Sequence, residues 1–243
     1  MTPKQNLKIA GFLAALMGSA FNLSAADDGS QPADMSKPVK VFILMGQSNM
    51  VGLGKIPSLE ATIKDKNKFT YLKDASGAWK ARKDVCYGWI MSGKPQYNQS
   101  QGITVQGVKS IGPEFGIAEI VGNATPEPVL LVKACIGNRS IAWDLLPPGS
   151  KRYVEGGKVY GGYKDFSAMW DADPAKGVDT EPPPAVDKKG NPSTWYAGIQ
   201  YDGDVADAKK MLAEIGSYYP GATKYEIAGF FFWQGEKDGG NRV

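Results

Sequence analysis

The stretch Val39-Lys40-Val41-Phe42-Ile43-Leu44-Met45-Gly46-Gln47-Ser48-Asn49-Met50 decides the fold of this 243-residue chain. Its first seven residues are almost continuously apolar and mostly β-branched or large, the pattern of a strand buried on both faces of a parallel sheet. The run breaks at Gly46-Gln47-Ser48, a turn that opens into a helix N-terminus. Two further runs repeat the arrangement: Pro128 to Ile136 ends at Gly137, and Tyr225 to Trp233 ends at Gln234-Gly235. Helical patterns lie between them, a short one around Pro113 to Val121 and a clearer one from Gly203 to Tyr218. In the second, Val205, Ala208, Met211, Leu212 and Ile215 share a face, and Asp202 or Asp204 is placed to cap it. Strands alternating with helices over long crossovers predict an α/β domain, a parallel sheet with helices on both faces. Ligands of such sheets bind beyond the carboxyl ends of the strands, so three Gly-bearing strand ends converge on one expected site.

Composition narrows the chemistry. The chain contains no histidine, so it cannot itself supply an imidazole base, a complete Ser-His-Asp triad or a His-containing zinc site. Lys plus Arg is 28 against 25 Asp plus Glu, with the positive residues scattered, which argues against nucleic acid as a partner. The two cysteines, Cys86 and Cys135, lack any CxxC spacing, and sequence leaves open whether they pair. No metal or cofactor is expected.

Residues 1–26 read as a secretory signal: Lys4 and Lys8 precede an apolar run of 13 residues, Ile9 to Phe21, and Ser24-Ala25-Ala26 offers small residues for cleavage. The run is too short to span a bilayer. The expected product is secreted or periplasmic, with no membrane partner once the signal is removed. Residues 27–38 read as a polar linker and 39–243 as the folded domain. Two stretches inside it look irregular, Lys83 to Ser110 and an insertion over about 146–192 rich in Gly, Pro and aromatic residues. Those aromatics suit either a platform for sugar rings or a flap packed on itself.

Ser48, directly after a buried strand and before a helix, sits where a nucleophile benefits from nearby backbone N–H groups. The motif Gly46-Gln47-Ser48-Asn49-Met50 lacks the second Gly of the GxSxG nucleophile elbow. It resembles instead the first motif of the SGNH, or GDSL-like, hydrolases, and more narrowly the carbohydrate esterase branch that includes sialate O-acetylesterases and acetylxylan esterases. Phe232-Trp233-Gln234-Gly235-Glu236-Lys237-Asp238 resembles that branch's WxQGExD-type motif, with one residue fewer between Trp and Gln. Gly112-Pro113-Glu114-Phe115-Gly116 and Ala134 to Ser140 followed by Trp143 resemble two intermediate motifs, the latter departing from the usual GGTS with Arg139.

The resemblance implies a three-layer α/β/α, flavodoxin-like fold and a serine esterase acting on acetylated carbohydrate. It assigns Ser48 as nucleophile and an oxyanion hole formed by the backbone N–H groups of Ser48 and Gly137 and the side-chain amide of Gln234, with Gly112 as the alternative to Gly137. Gln47, Asn49, Glu236 and Trp143 are expected to support the site or touch substrate, with Glu236 orienting it and Asp238 structural. The resembled family places its base in a DxxH motif near the C-terminus, after further strands. Here three strands are recognisable where that fold has five, and the sequence stops five residues past Asp238. The expectation is a C-terminally truncated esterase with very low activity. The alternative is a non-catalytic carbohydrate-binding module derived from the same fold.

Overall fold

The computed structural model describes residues 29–239. The expected signal, residues 1–26, and the start of the linker lie outside these residues. The chain forms β1 (Val39–Gly46), α1 (Ser48–Val51), α2 (Ile56–Lys66), β2 (Ala81–Arg82), β3 (Val85–Met91), β4 (Lys94–Gln99), β5 (Ile103–Thr104) and α3 (Glu114–Ala124). There follow β6 (Val129–Ala134), β7 (Tyr153–Glu155), β8 (Lys158–Tyr160), β9 (Met169–Asp171), α4 (Ile199–Ala213) and β10 (Tyr225–Trp233). The central sheet has the order β10-β1-β6-β3-β4, parallel except for β4.

Strand periodicity sorts side chains onto two faces. Leu44 of β1 and Val129 and Leu131 of β6 point to one face, where Met50, Leu59, Phe115 and Ala118 of α1, α2 and α3 cover them. Val39, Val41, Leu130 and Val132 point to the other, against Ala208 and Met211 of α4. The result is a three-layer α/β/α fold with a mostly parallel sheet, as the resemblance to SGNH hydrolases implies. Each fully buried aliphatic side chain contributes roughly 1.5–3 kcal/mol.

Several expectations need correction. The stretch Lys83 to Ser110 is not loop: it contains the buried strand β3 and the hairpin to β4. The hairpin turns on Ser92 and Gly93, both at positive φ (50° and 76°), the backbone of a two-residue turn matched to sheet twist. Helix α4 begins at Ile199, behind Gly198 at φ 90°, and neither Asp202 nor Asp204 caps it. Asp202 instead accepts hydrogen bonds from Tyr163, Lys164 and Tyr196, while Asp204 is buried. The 146–192 insertion holds the small antiparallel sheet β7-β8-β9, across which the rings of Tyr153 and Tyr160 stack at 4.7 Å.

Cys86 and Cys135 are free and buried. Cys86 pairs across the ladder with Leu130, five residues before Cys135. At about 3.3 Å per residue this puts them on the order of 16 Å apart, beyond the reach of a disulfide.

The third apolar run differs most from its expectation. β10 is parallel to β1 but lies at the sheet edge, and α3 and α4 sit over β6 instead. Phe230 is 57% exposed, and Tyr225, Ile227, Phe232 and Trp233 are exposed as well. An unpaired apolar edge templates association. The chain should self-associate at micromolar concentration, and F230K with F232K should shift it toward monomer in sedimentation velocity. A monomeric parent protein would contradict this.

Candidate active site

Three strand ends meet at Ser48. Gly46 closes β1 at φ 140°, where any Cβ would overlap the carbonyl of Trp233, and the Gln47 N–H donates to that same carbonyl at 3.1 Å. The turn is thus bound to the end of β10 and delivers Ser48 as the first residue of α1. On the other side a Cβ on Gly137, after β6, would lie 3.9 Å from Ser48 Cβ. Small residues on both sides let the backbone approach the hydroxyl closely.

The hydroxyl has two side-chain partners. Gln47, fully buried, donates from Nε2 to Ser48 Oγ at 3.2 Å. Ser48 Oγ donates to Glu236 Oε2 at 3.1 Å. The proton is held toward the carboxylate, leaving an oxygen lone pair free to face a substrate. Asn49 donates from Nδ2 to the Gln234 carbonyl at 2.6 Å, tying α1 to the loop after β10. Gly235 was missed as a site residue: a Cβ there would overlap Ser48 Oγ and lie 2.7 Å from Gln47 Nε2. Its signal was the Gly between Gln234 and Glu236, read only as part of a motif.

Gln234 sits differently from its expected role. Its Nε2 donates to the Arg139 carbonyl at 2.9 Å and to the Asp238 carboxylate, so the amide clamps two loops and does not point at Ser48. Asp238 also accepts from the N–H groups of Ile141 and Ala142 at 2.9 and 3.2 Å. Trp143 is not brought to Ser48. Its carbonyl accepts from the Gly198 N–H at 2.8 Å, and its ring lies against Gly161 of the insertion. Gly112 lines the cavity that Ser48 also lines, and lies against Gly52 and the buried Glu114.

Beneath the site is an ion pair that the sequence did not reveal. Lys133 of β6, fully buried, reaches Glu114 Oε2 at 2.8 Å and donates to the Val51 carbonyl at 2.7 Å. Glu114 Oε1 in turn accepts from the Gly112 N–H at 3.1 Å. The end of α1, the start of α3 and β6 are thus held together immediately behind Ser48.

A second polar chain supports the Gly137 loop. Arg139 donates from Nε to Gln200 Oε1 at 3.1 Å, and Gln200 Nε2 donates to Asp204 Oδ1 at 2.6 Å. Asp204 Oδ2 is buried without a hydrogen bond among the described residues. Burial, with Asp207 nearby and only partial relief from Gln200 and Arg139, pushes the Asp204 carboxyl up to about 7. Because the folded value lies above the unfolded one, near 3.9, this group's stability is complete below about pH 4 and is lost as pH rises through 7. D204N should leave stability at pH 4 nearly unchanged and raise it at pH 8 by on the order of 2 kcal/mol, read from paired thermal melts.

A cavity of about 720 Å³ opens beside Ser48. Ser48, Asn49 and Glu236 form one end, and Leu53, Leu59, Phe69, Leu72, Ile111 and Phe115 line much of the rest.

A family model described as "Carbohydrate esterase, sialic acid-specific acetylesterase" matches residues 38–159, half of the chain. No match is found among curated proteins. Among solved structures, an Arabidopsis thaliana protein determined by X-ray diffraction is similar at 16% identity with a TM-score of 0.38. The match covers 83% of this chain and 59% of that one, so the chain spans less than two thirds of the similar structure's length. With a family model spanning both β1 with its Ser48 turn and β6 with its Gly137 loop, the chain belongs to the sialic acid-specific acetylesterase family of carbohydrate esterases.

Proposed function

We propose that this is the nucleophile-bearing part of a secreted or periplasmic serine esterase that removes O-acetyl groups from carbohydrate, either sialate or a plant or algal polysaccharide. The observation that supports it most is Ser48 Oγ just beyond the carboxyl end of β1, held between Gln47 Nε2 and Glu236 Oε2. Attack by Oγ on the ester carbon forms the Oγ–C bond, drives the carbonyl electron pair onto oxygen and releases the hydroxyl proton toward Glu236 Oε2. The backbone N–H groups of Ser48 and Gly137 are the proposed donors for that charge, each donor contributing about 3–4 kcal/mol. Gln234 acts by holding the Gly137 loop, and would join the oxyanion hole only on leaving Asp238. Collapse then breaks the bond to the sugar oxygen, which takes up a proton, and water releases acetate from Ser48.

Both proton transfers ordinarily use imidazole, and this chain has none. Glu236 accepts the hydroxyl proton's hydrogen bond, but a carboxylate is a weaker base than imidazole at neutral pH. The proposed activity of these 243 residues is therefore residual. The test is acetate release from acetylated sialic acid and acetylated xylan, followed by NMR over a day. Slow release above the S48A background supports the reading. Glycan binding with no release above that background would favour the non-catalytic module. Neither binding nor release would remove both.

A further inference from the structure

We propose that the cavity beside Ser48 receives an apolar acyl group larger than acetyl, so that the same site also takes carbohydrate esters of medium-chain or aromatic acids. This rests on the reading of Ser48 as the nucleophile. An acetyl group fills roughly two water volumes, about 60 Å³. The cavity, at about 720 Å³, is of the size that holds a complete small ligand.

Its chemistry selects which part of the ester enters. Away from Ser48, Asn49 and Glu236 the walls are mainly hydrocarbon, from Leu53, Leu59, Phe69, Leu72, Ile111 and Phe115. A sugar placed there would leave hydroxyls unpaired at about 1–3 kcal/mol each, whereas an acyl chain has none to satisfy. Phe69 adds a second observation. It holds a left-handed backbone, φ 60°, unusual for a bulky residue, and meets Tyr71 edge-on at 6.4 Å. Although Phe69 is 45% exposed, its ring and that of Tyr71 together give the cavity an aromatic wall. Gly116 on α3 contributes a bare patch of the lining. A Cβ there would meet nothing nearer than Tyr71 Oη at 3.9 Å.

The test uses amide analogues that cannot be hydrolysed: N-acetyl-, N-butanoyl- and N-hexanoyl-glucosamine, with binding to the full chain measured by calorimetry. Dissociation constants should fall by up to about fourfold per methylene, and more than tenfold from acetyl to hexanoyl. G116L, which fills the cavity, should flatten the series. L53N, at a cavity residue 72% exposed, should weaken hexanoyl binding without disturbing the core. Equal affinity along the wild-type series would overturn the proposal. So would tightening seen only with a hexyl glycoside of N-acetylglucosamine, which would place the apolar group on the alcohol side. S48A should keep the gradient, because binding does not need the hydroxyl. A flat series in a protein that still acquires an acetyl group on Ser48 from an activated ester would remove the cavity proposal alone. A steep series without that acetylation would leave acyl binding standing and remove the esterase reading.

Discussion

Hydrolysis of 4-nitrophenyl acetate by the 243-residue chain should be slower than the typical enzyme kcat of about 10 s⁻¹ by a factor of roughly 10⁴ to 10⁶, and S48A should lose what remains. Without an imidazole, a serine nucleophile keeps only the rate that its hydroxyl, the oxyanion hole and binding supply together. That contribution is what this chain offers: the Ser48 hydroxyl aligned by Gln47 at 3.2 Å and Glu236 at 3.1 Å, with the Gly137 backbone alongside. The aryl ester is the informative substrate because its leaving group departs without protonation, so acylation suffers least from the missing imidazole. Deacylation still needs a base to activate water. The acyl-enzyme should therefore outlive the first turnover, giving a small burst of nitrophenol followed by a slow steady rate. E236Q should reduce the burst rate about tenfold, since an amide no longer accepts the hydroxyl proton's hydrogen bond as strongly. A steady rate near 10 s⁻¹ would contradict the proposal that these residues act without an efficient base.

Breaking the pair beneath the site should have the largest effect on stability. Lys133 and Glu114 are 0% and 3% exposed in their side chains, and their 2.8 Å contact is fully desolvated. Removing one partner leaves a buried charge without its counter-charge, typically costing 3–5 kcal/mol. E114A and K133A should each lose stability on that scale. The double replacement K133M with E114L should recover most of it, because a well-packed apolar pair carries no desolvation penalty. The measurement is the urea midpoint at constant m-value. The loss also has a functional signature. Lys133 donates to the Val51 carbonyl and Glu114 accepts from the Gly112 N–H, so even the refolded double variant should place Ser48 less firmly and lower the burst rate.

Much of the frame was legible in the sequence because burial on both strand faces writes a continuous apolar run. Val39–Gly46 and Val129–Ala134 are such strands, and each ends at the backbone that surrounds Ser48. β3 was hidden because its buried run, Val85 to Met91, contains Gly88 and sits among Gly-, Gln- and Ser-rich neighbours. Gly88 is needed there, since a Cβ would overlap the Tyr218 hydroxyl and the end of Met211. β10 reads as a buried strand by composition, yet composition says nothing of position in the sheet, and β10 lies at an edge. At the site, Ser48, Gln47 and Glu236 were found because they share local motifs. Lys133 and Glu114 were not, because a charged residue inside an apolar run carries no sign of its partner 19 residues away. Gln234 was expected in the oxyanion hole, but its partners in the structure, Arg139 and Asp238, are set by loop packing and by no spacing in the sequence.

The assignment of Ser48 as nucleophile is tested most directly by brief reaction with 4-nitrophenyl acetate, acid quench and peptide mapping by mass spectrometry. The predicted result is acetyl accumulating on Ser48 at stoichiometry approaching one, stable for minutes and absent from S48A. Acetylation confined to lysines, with unmodified Ser48 and the same pattern in S48A, would contradict it.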